Sequence, residues 1–367
     1  MSLLGPMDEQ LNHQTSQPFR VPGTTDHRFY DRHWFEAIST DGDVMMLAGM
    51  GTYKNMGVAD GFMVVQRGMQ QTNVRVSRML DNDMTATVGP LSIEVVEPYE
   101  HLKLSLAPGD HPVAAELEWR SVYPVYLEAP HYNFSDGRVI QDTNRYDQIG
   151  SWSGWLELDG ERFDASDWWG VRDHSWGVRP DVGGFEPAHG RRKEPMLWLW
   201  TFATTEDRCV HFQLREDPQG GVKHFDGEVF YPPTTNREPV RISRVEHDIK
   251  FIPGTRDWST LHYDLYLEDG SHMELEAEAL QSAWGYRGTG YENGYEDSKG
   301  VGVVRGSLVE SDVLDLSVAG KVTRDGEPYF PGHREQPARV TIDGKPGFGH
   351  LPVMSSGRIE RYNLGRK

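Results

Sequence analysis

Apolar and polar residues alternate along most of this chain, and a period of two predicts strands rather than helices. In LHYDLYLEDGSHMELEAEAL, residues 261–280, Tyr263, Leu265 and Leu267 point one way, and Met273, Leu275, Ala277 and Ala279 resume the pattern beyond Asp269-Gly270. Two alternating runs around Asp-Gly predict an antiparallel hairpin. Similar runs are GFMVVQRG (61–68), NVRVSRML (73–80), LSIEVVE (91–97), HLKLSL (101–106), AAELEWRSVY (114–123), WSGWLELDG (152–160), MLWLWTFAT (196–204), CVHFQLRE (209–216) and VLDLSVAGKV (313–322). Hardly any segment keeps a helical apolar period, and 39 Gly and 22 Pro are spread throughout. Short, closely spaced strands predict an all-β fold, and strands this numerous need more than one barrel.

A faint internal echo divides the chain in two. Leu156-Glu157-Leu158-Asp159-Gly160 is matched by Val340-Thr341-Ile342-Asp343-Gly344, 184 residues later. The expected layout is a polar N-terminal tail over residues 1–26, a first barrel over 27–185 and a second over 186–367, with the boundary in PDVGGFEPAHGRRKEP (180–195).

The chain has 367 residues and a formal net charge of −19, so its surface repels nucleic-acid backbones and anionic headgroups. Its densest cationic stretch, GRRKEP at 190–195, is a short turn-like segment. Cys209 is the only cysteine, which excludes an intrachain disulfide and suits a reducing compartment. No run of 18 apolar residues occurs. A soluble cytoplasmic protein is expected, with no nucleic-acid partner and no stable membrane insertion; homo-oligomerisation is left open.

Candidate chemistry concentrates in WWGVRDHSWGVR, residues 168–179. In an extended strand Arg172, His174 and Trp176 share one face, and Asp173 and Ser175 the other. Trp168 and Trp169 precede them; Trp198, Trp200 and Phe202 follow on one face of a later strand. The functional reading is an apolar cavity with a polar cluster at one end. There His174 acts as acid or base, Trp176 stabilises a developing cation, Arg172 with Asp173 orients the polar end, and Arg179 can hold an oxygen. The competing reading makes His174 a hydrogen-bonded core histidine and the tryptophans filler at a barrel junction.

Glycine-rich stretches at 46–63, 283–297 and 345–357 suit barrel corners, and Tyr286, Tyr291 and Tyr295 could offer hydroxyls at the rim of a pocket. His211 is expected on a polar side of its strand. His27 and His33 lack the spacing of a helical metal pair and no HExxH occurs, so neither a metal nor a cofactor is expected.

The stretch LELDGERFDASDWWGVRDHSWGVR resembles the segment that ends the first barrel of the hydroxyneurosporene synthase (carotenoid hydratase) and AttH-like proteins. The resemblance implies two lipocalin-like β-barrels in tandem, an architecture shared by fungal Diels-Alderases. It assigns the functional Asp-His-x-Trp positions to His174 and Trp176. The family's later Tyr-x-Asp, whose aspartate is the proposed proton donor, should fall near WLWTFATTED, where this chain has Thr201, Phe202 and Ala203.

The expected function is therefore binding of an extended apolar small molecule of terpenoid, steroid or polyketide type, with cofactor-free hydration, isomerisation or cyclisation by acid/base chemistry. The alternative is a carrier or scavenger of a lipophilic ligand that performs no chemistry.

Overall fold

The computed structural model describes residues 6–9, 11, 15–135, 137–184, 195–280, 284–291, 294–328 and 333–365. The expected boundary at 185/186 lies outside the described residues. The described chain is all-β apart from short 3-10 turns, and its strands form two large antiparallel sheets, each curved into a lipocalin-like barrel. Among the described residues no helix is long and apolar enough to cross a membrane.

The second barrel closes through hydrogen bonds. Met196–Thr205 pairs with Cys209–Glu216 on one side and Lys345–His350 on the other, which completes a ring of eight strands. Eight strands leave an interior that side chains just fill. Here Phe212, Tyr263, Leu265, Leu275 and Ile342 fill it. The hairpin around Asp269-Gly270 forms as its alternation predicts, with Tyr263, Leu265, Leu267, Met273, Leu275 and Ala277 buried.

The repeated Asp-Gly pair is a repeated turn. Asp159 and Gly160 both have positive φ, as do Asp343 and Gly344, and each pair joins two adjacent antiparallel strands. Two successive positive-φ residues give the mirror-image turn whose twist suits a hairpin. The echo therefore marks equivalent corners.

In the first sheet, Phe29–Ile38 lies between Val44–Tyr53 and Trp168–Val178, and Trp168–Val178 pairs in turn with Arg138–Leu158. Phe35, Met46, Leu104, Trp119, Trp152 and Trp168 pack inside this barrel. The other face of the same strands presents Trp34, Ile38, Ile149 and Val171 to Trp200, Phe202 and Phe230 of the second barrel, forming a shared core between the two.

The chain does not divide cleanly at its middle. Leu308–Asp315, expected in the second barrel, pairs with Gln70–Met79 at the edge of the first sheet. Arg75 secures it, donating from Nε to Glu310 at 2.8 Å and from Nη2 to Asp312 at 2.9 Å, with its own side chain fully buried. The sequence pattern showed a strand here, but alternation does not say which sheet receives it. The N-terminal stretch is also anchored: Arg20 donates to Asn82, and the Asn55 amide reaches the carbonyls of Thr24 and Asp26.

Candidate functional site

The register of Trp168–Val178 places His174 opposite His33 and Tyr146, and Asp173 opposite Trp34 and Asp147. Arg172, His174 and Trp176 therefore look into the mouth of the first barrel, whereas Asp173 and Ser175 look out towards the second. The split follows the predicted alternation, but it separates residues that the functional reading had joined in one site.

At the barrel mouth His174 is held at both ring nitrogens. Nε2 lies 2.7 Å from Asp31 Oδ1 and Nδ1 lies 3.0 Å from the Tyr146 hydroxyl. In the neutral ring Nε2–H donates to Asp31, and Nδ1 accepts from Tyr146. Arg172 donates to Gln148 at 2.8 Å and lies over the Trp119 ring. Trp176 stands edge-on to His174. Burial pushes the Asp31 carboxyl up, but the His174 hydrogen bond and charge outweigh it and hold the group below the usual carboxylate range. His33 is 4.1 Å from His174, ring to ring; burial, with His174 and Arg172 adding repulsion, lowers it to about 3. These contacts form a hydrogen-bonded chain with an exposed end at Asp31, and the packed barrel core lies beneath it.

Open space lies instead between the barrels. A narrow, solvent-open cleft with a cavity volume of about 40 Å³ runs between Trp34, Phe62, Trp198 and Trp200 on its apolar walls and Tyr286 and Tyr291 at its rim. Arg32, Arg145, Arg179, Asp173 and Glu335 supply its charges. Tyr286 and Tyr291 stack in parallel at 4.6 Å, and Tyr291 takes both Arg32 (4.6 Å) and Arg179 (5.2 Å) on its ring. Burial raises the Asp173 carboxyl, and the nearby Arg145 offsets this only in part.

Two of the side chains lining this cleft hold donors with no acceptor among the described residues. Arg32 is 3% exposed and gives Nη1 to the Tyr53 hydroxyl at 2.9 Å, yet its Nε and Nη2 have no hydrogen-bond partner among the described residues. The buried Trp198 Nε1 has none either. Leaving such groups dry costs free energy, most of all for a charge.

Of the expected ligand-binding residues, Arg179, Trp198, Trp200, Tyr286 and Tyr291 line the cleft together with Asp173. Trp168 does not: its position in the strand turns it into the first barrel's core, where it is 3% exposed. Trp169 spends its indole N–H on Thr204 Oγ1, 2.6 Å away, and packs in the junction between barrels. Phe202 lies flat against His211 at 4.3 Å, beside a second, smaller space.

Two buried polar clusters were not visible in the sequence. Behind Trp200, Glu128, Asp147 and His211 converge, their ligating atoms within 4.8 Å of one another. His211 is 2% exposed, not on a polar side, because its strand buries both faces at the junction. Burial pushes both carboxyls up; for Glu128 the Arg145 guanidinium and hydrogen bonds reverse the effect, whereas Asp147, facing Glu128, goes well above its usual range. The second cluster holds His350 between Glu36 and Glu335. Burial alone would lower this imidazole, but the two carboxylates raise it to about 9. Glu128 and Asp147 lie 19 residues apart and His211 another 64 away, so no local motif announces them.

Comparison places the fold. The AttH-like protein NE1406 of Nitrosomonas europaea superposes with a TM-score of 0.52 at 11% identity, covering 90% of this chain and 98% of that one. Kievitone hydratase from Nectria haematococca gives 0.47 at 11% identity over 92% and 93% of the two chains, and CghA gives 0.49 at 13% over 89% and 88%. No curated protein sequence matches the chain. The two-barrel architecture is thus the one expected from the WWGVRDHSW segment. Residues 4–317 match the Family of unknown function (DUF8625), and the chain belongs to that family.

Proposed function

We propose that the cleft between the barrels binds a small molecule with a flat or extended apolar body and an anionic group, and that Asp173 exchanges a proton with it. The unpartnered guanidinium nitrogens of Arg32, buried beside three indoles, carry this reading. A carboxylate or enolate oxygen would accept from Arg32 and from the Trp198 N–H, while the walls cover the apolar body. Asp173, raised by burial, suits the role of proton donor to an alkene or enol carbon. The tilted rings of Trp34 and Trp200, their centres 5.9 Å apart, would then flank the cation until water adds or a neighbouring proton leaves. Hydration, isomerisation and cyclisation are the reactions this sequence of events permits. The test is a tryptophan-fluorescence titration with a long-chain carboxylic acid and the matching alcohol. The acid should bind about ten- to a hundredfold more tightly, the worth of a charge-assisted hydrogen bond, and Arg32→Gln should erase the difference. Equal affinities in the unsubstituted protein would overturn the reading.

A further inference from the structure

The Glu128, Asp147 and His211 cluster is one layer behind the cleft and plays no part in the chemistry proposed there. Its residues come from both barrels: Asp147 from Arg138–Leu158, Glu128 from the segment just after Tyr126–Leu127, and His211 from Cys209–Glu216. All three are at least nine-tenths buried.

Three observations bear on what fills it. First, His211 Nδ1 is 3.0 Å from the Thr201 carbonyl, so Nδ1 carries the proton and the Nε2 lone pair points at the carboxylates. Metal-bound histidines are commonly fixed in this way. Second, Nε2 is 3.4 Å from Asp147 Oδ2 and 3.6 Å from Glu128 Oε1. Both distances exceed a hydrogen bond, and a buried imidazolium would draw carboxylates in to ~2.8 Å. Ligands bonded at 2.0–2.2 Å to a tetrahedral ion lie ~3.3–3.6 Å from one another, and both distances from Nε2 fall in that range. Third, apart from the carboxyl of Glu128 that faces it, Asp147 has no hydrogen-bond donor at either oxygen among the described residues, although it is 2% exposed.

Charge points the same way. Glu128, Asp147 and Asp173 face a single guanidinium within ion-pair range among the described residues, that of Arg145. A cation held between Glu128, Asp147 and His211 would sit beside that guanidinium without displacing either ion pair.

The supporting contacts and the approach to the site are in place. Gln213 and the Trp200 indole donate to Glu128 Oε1 at 2.5 and 3.1 Å, orienting it. The smaller space, lined by Tyr126, Asp147, Phe202, Cys209 and His211, adjoins two of the three donors.

We propose that Glu128, Asp147 and His211 bind one divalent transition-metal ion, of the zinc or manganese type, which clasps the two barrels together. Mixed imidazole and carboxylate donors suit these ions. The full-length protein, stripped with a chelator, is titrated with zinc and with manganese by calorimetry and followed by thermal unfolding. The expected result is one equivalent bound, with a rise in Tm. Asp147→Asn and His211→Gln should each weaken binding by more than the ~10–100-fold that losing a hydrogen bond to a ligand costs. Cobalt added to the unsubstituted protein, a measurement that needs no variant to fold, should give d–d absorption bands of an ordered nitrogen and oxygen site. A protein that takes up no stoichiometric ion, lacks those bands and keeps its Tm after chelation would overturn the proposal. The cluster would then share protons instead.

Discussion

Asp173 and His174 are neighbours in sequence whose side chains serve opposite sides of one sheet: Asp173 lines the cleft between barrels, and His174 reaches Asp31 at the mouth of the first. One peptide unit thus separates a carboxyl raised by burial from an imidazole fixed at both nitrogens.

Substitution distinguishes the two sides. Asp173→Asn should lower turnover by about 10²–10⁴-fold, the usual worth of a general acid, while leaving ligand affinity within a few-fold. His174→Gln should leave both the affinity and the turnover at the cleft nearly unchanged. Product analysis by mass spectrometry alongside the fluorescence titration checks both, and the reverse ranking would return the chemistry to the barrel mouth.

Two histidines should shape the pH dependence of stability from opposite directions. His350, raised to about 9 between Glu36 and Glu335, binds its proton more tightly when folded. Its contribution is full below pH ~6.5 and is lost as pH rises through about 9, on the order of 3 kcal/mol before the opposing strain on Glu36 is counted. His33, lowered to about 3 beside His174, Arg172 and Asp31, is neutral when folded, so acid between pH ~6.5 and 3 favours the unfolded chain. Thermal unfolding across pH 4–9.5 should peak near ~6.5, and His350→Gln should flatten the alkaline limb.

Removing Arg75 should be among the costliest single changes. Arg75→Ala leaves Glu310 and Asp312 facing a buried gap and should cost about 3–5 kcal/mol in urea unfolding. The double change of Glu310 and Asp312 to Gln and Asn in that background should recover part of the loss, because the stranded charges are then gone.

The cap that carries Tyr286 and Tyr291 depends on one missing side chain. A Cβ at Gly288 would sit 2.1 Å from Gln71 Nε2 and 2.3 Å from Asn73 Oδ1, and Gln71 also ties down both the amide and the carbonyl of Gly285. Gly288→Ala should lift this cap off Gln70–Met79 and weaken ligand binding by about tenfold or more, roughly one broken hydrogen bond. Melting temperature should change less than affinity.

A period of two predicts the strands, the Asp-Gly hairpins and the inward face of Tyr263 and Leu275. It also put Arg172, His174 and Trp176 on a common face. It could not say what each face would meet, since Asp173 becomes a cleft residue only because a second barrel packs against that side. Arg32 went unnoticed for the same reason: alone in a strand it looks like any solvated arginine. Glu128, Asp147 and His211 are drawn together by pairing between distant strands, and no spacing within the chain reports that. Trp168 and Phe202 are expected from the sequence to line a ligand site, but an aromatic residue in a strand reads the same whether it walls a cavity or fills a core, as Trp168 does.

Arg75 and Glu310 are 235 residues apart in the chain, and this separation has a consequence for synthesis. While the ribosome is still making the second barrel, Gln70–Met79 has no neighbour along one edge, and that open edge is a hazard for pairing with other nascent chains. Only after residue 315 emerges can the first barrel be finished, and the second must then wait for Pro337–Ile342 and Lys345–His350. Neither barrel can be born, or cut out, as an uninterrupted length of polypeptide.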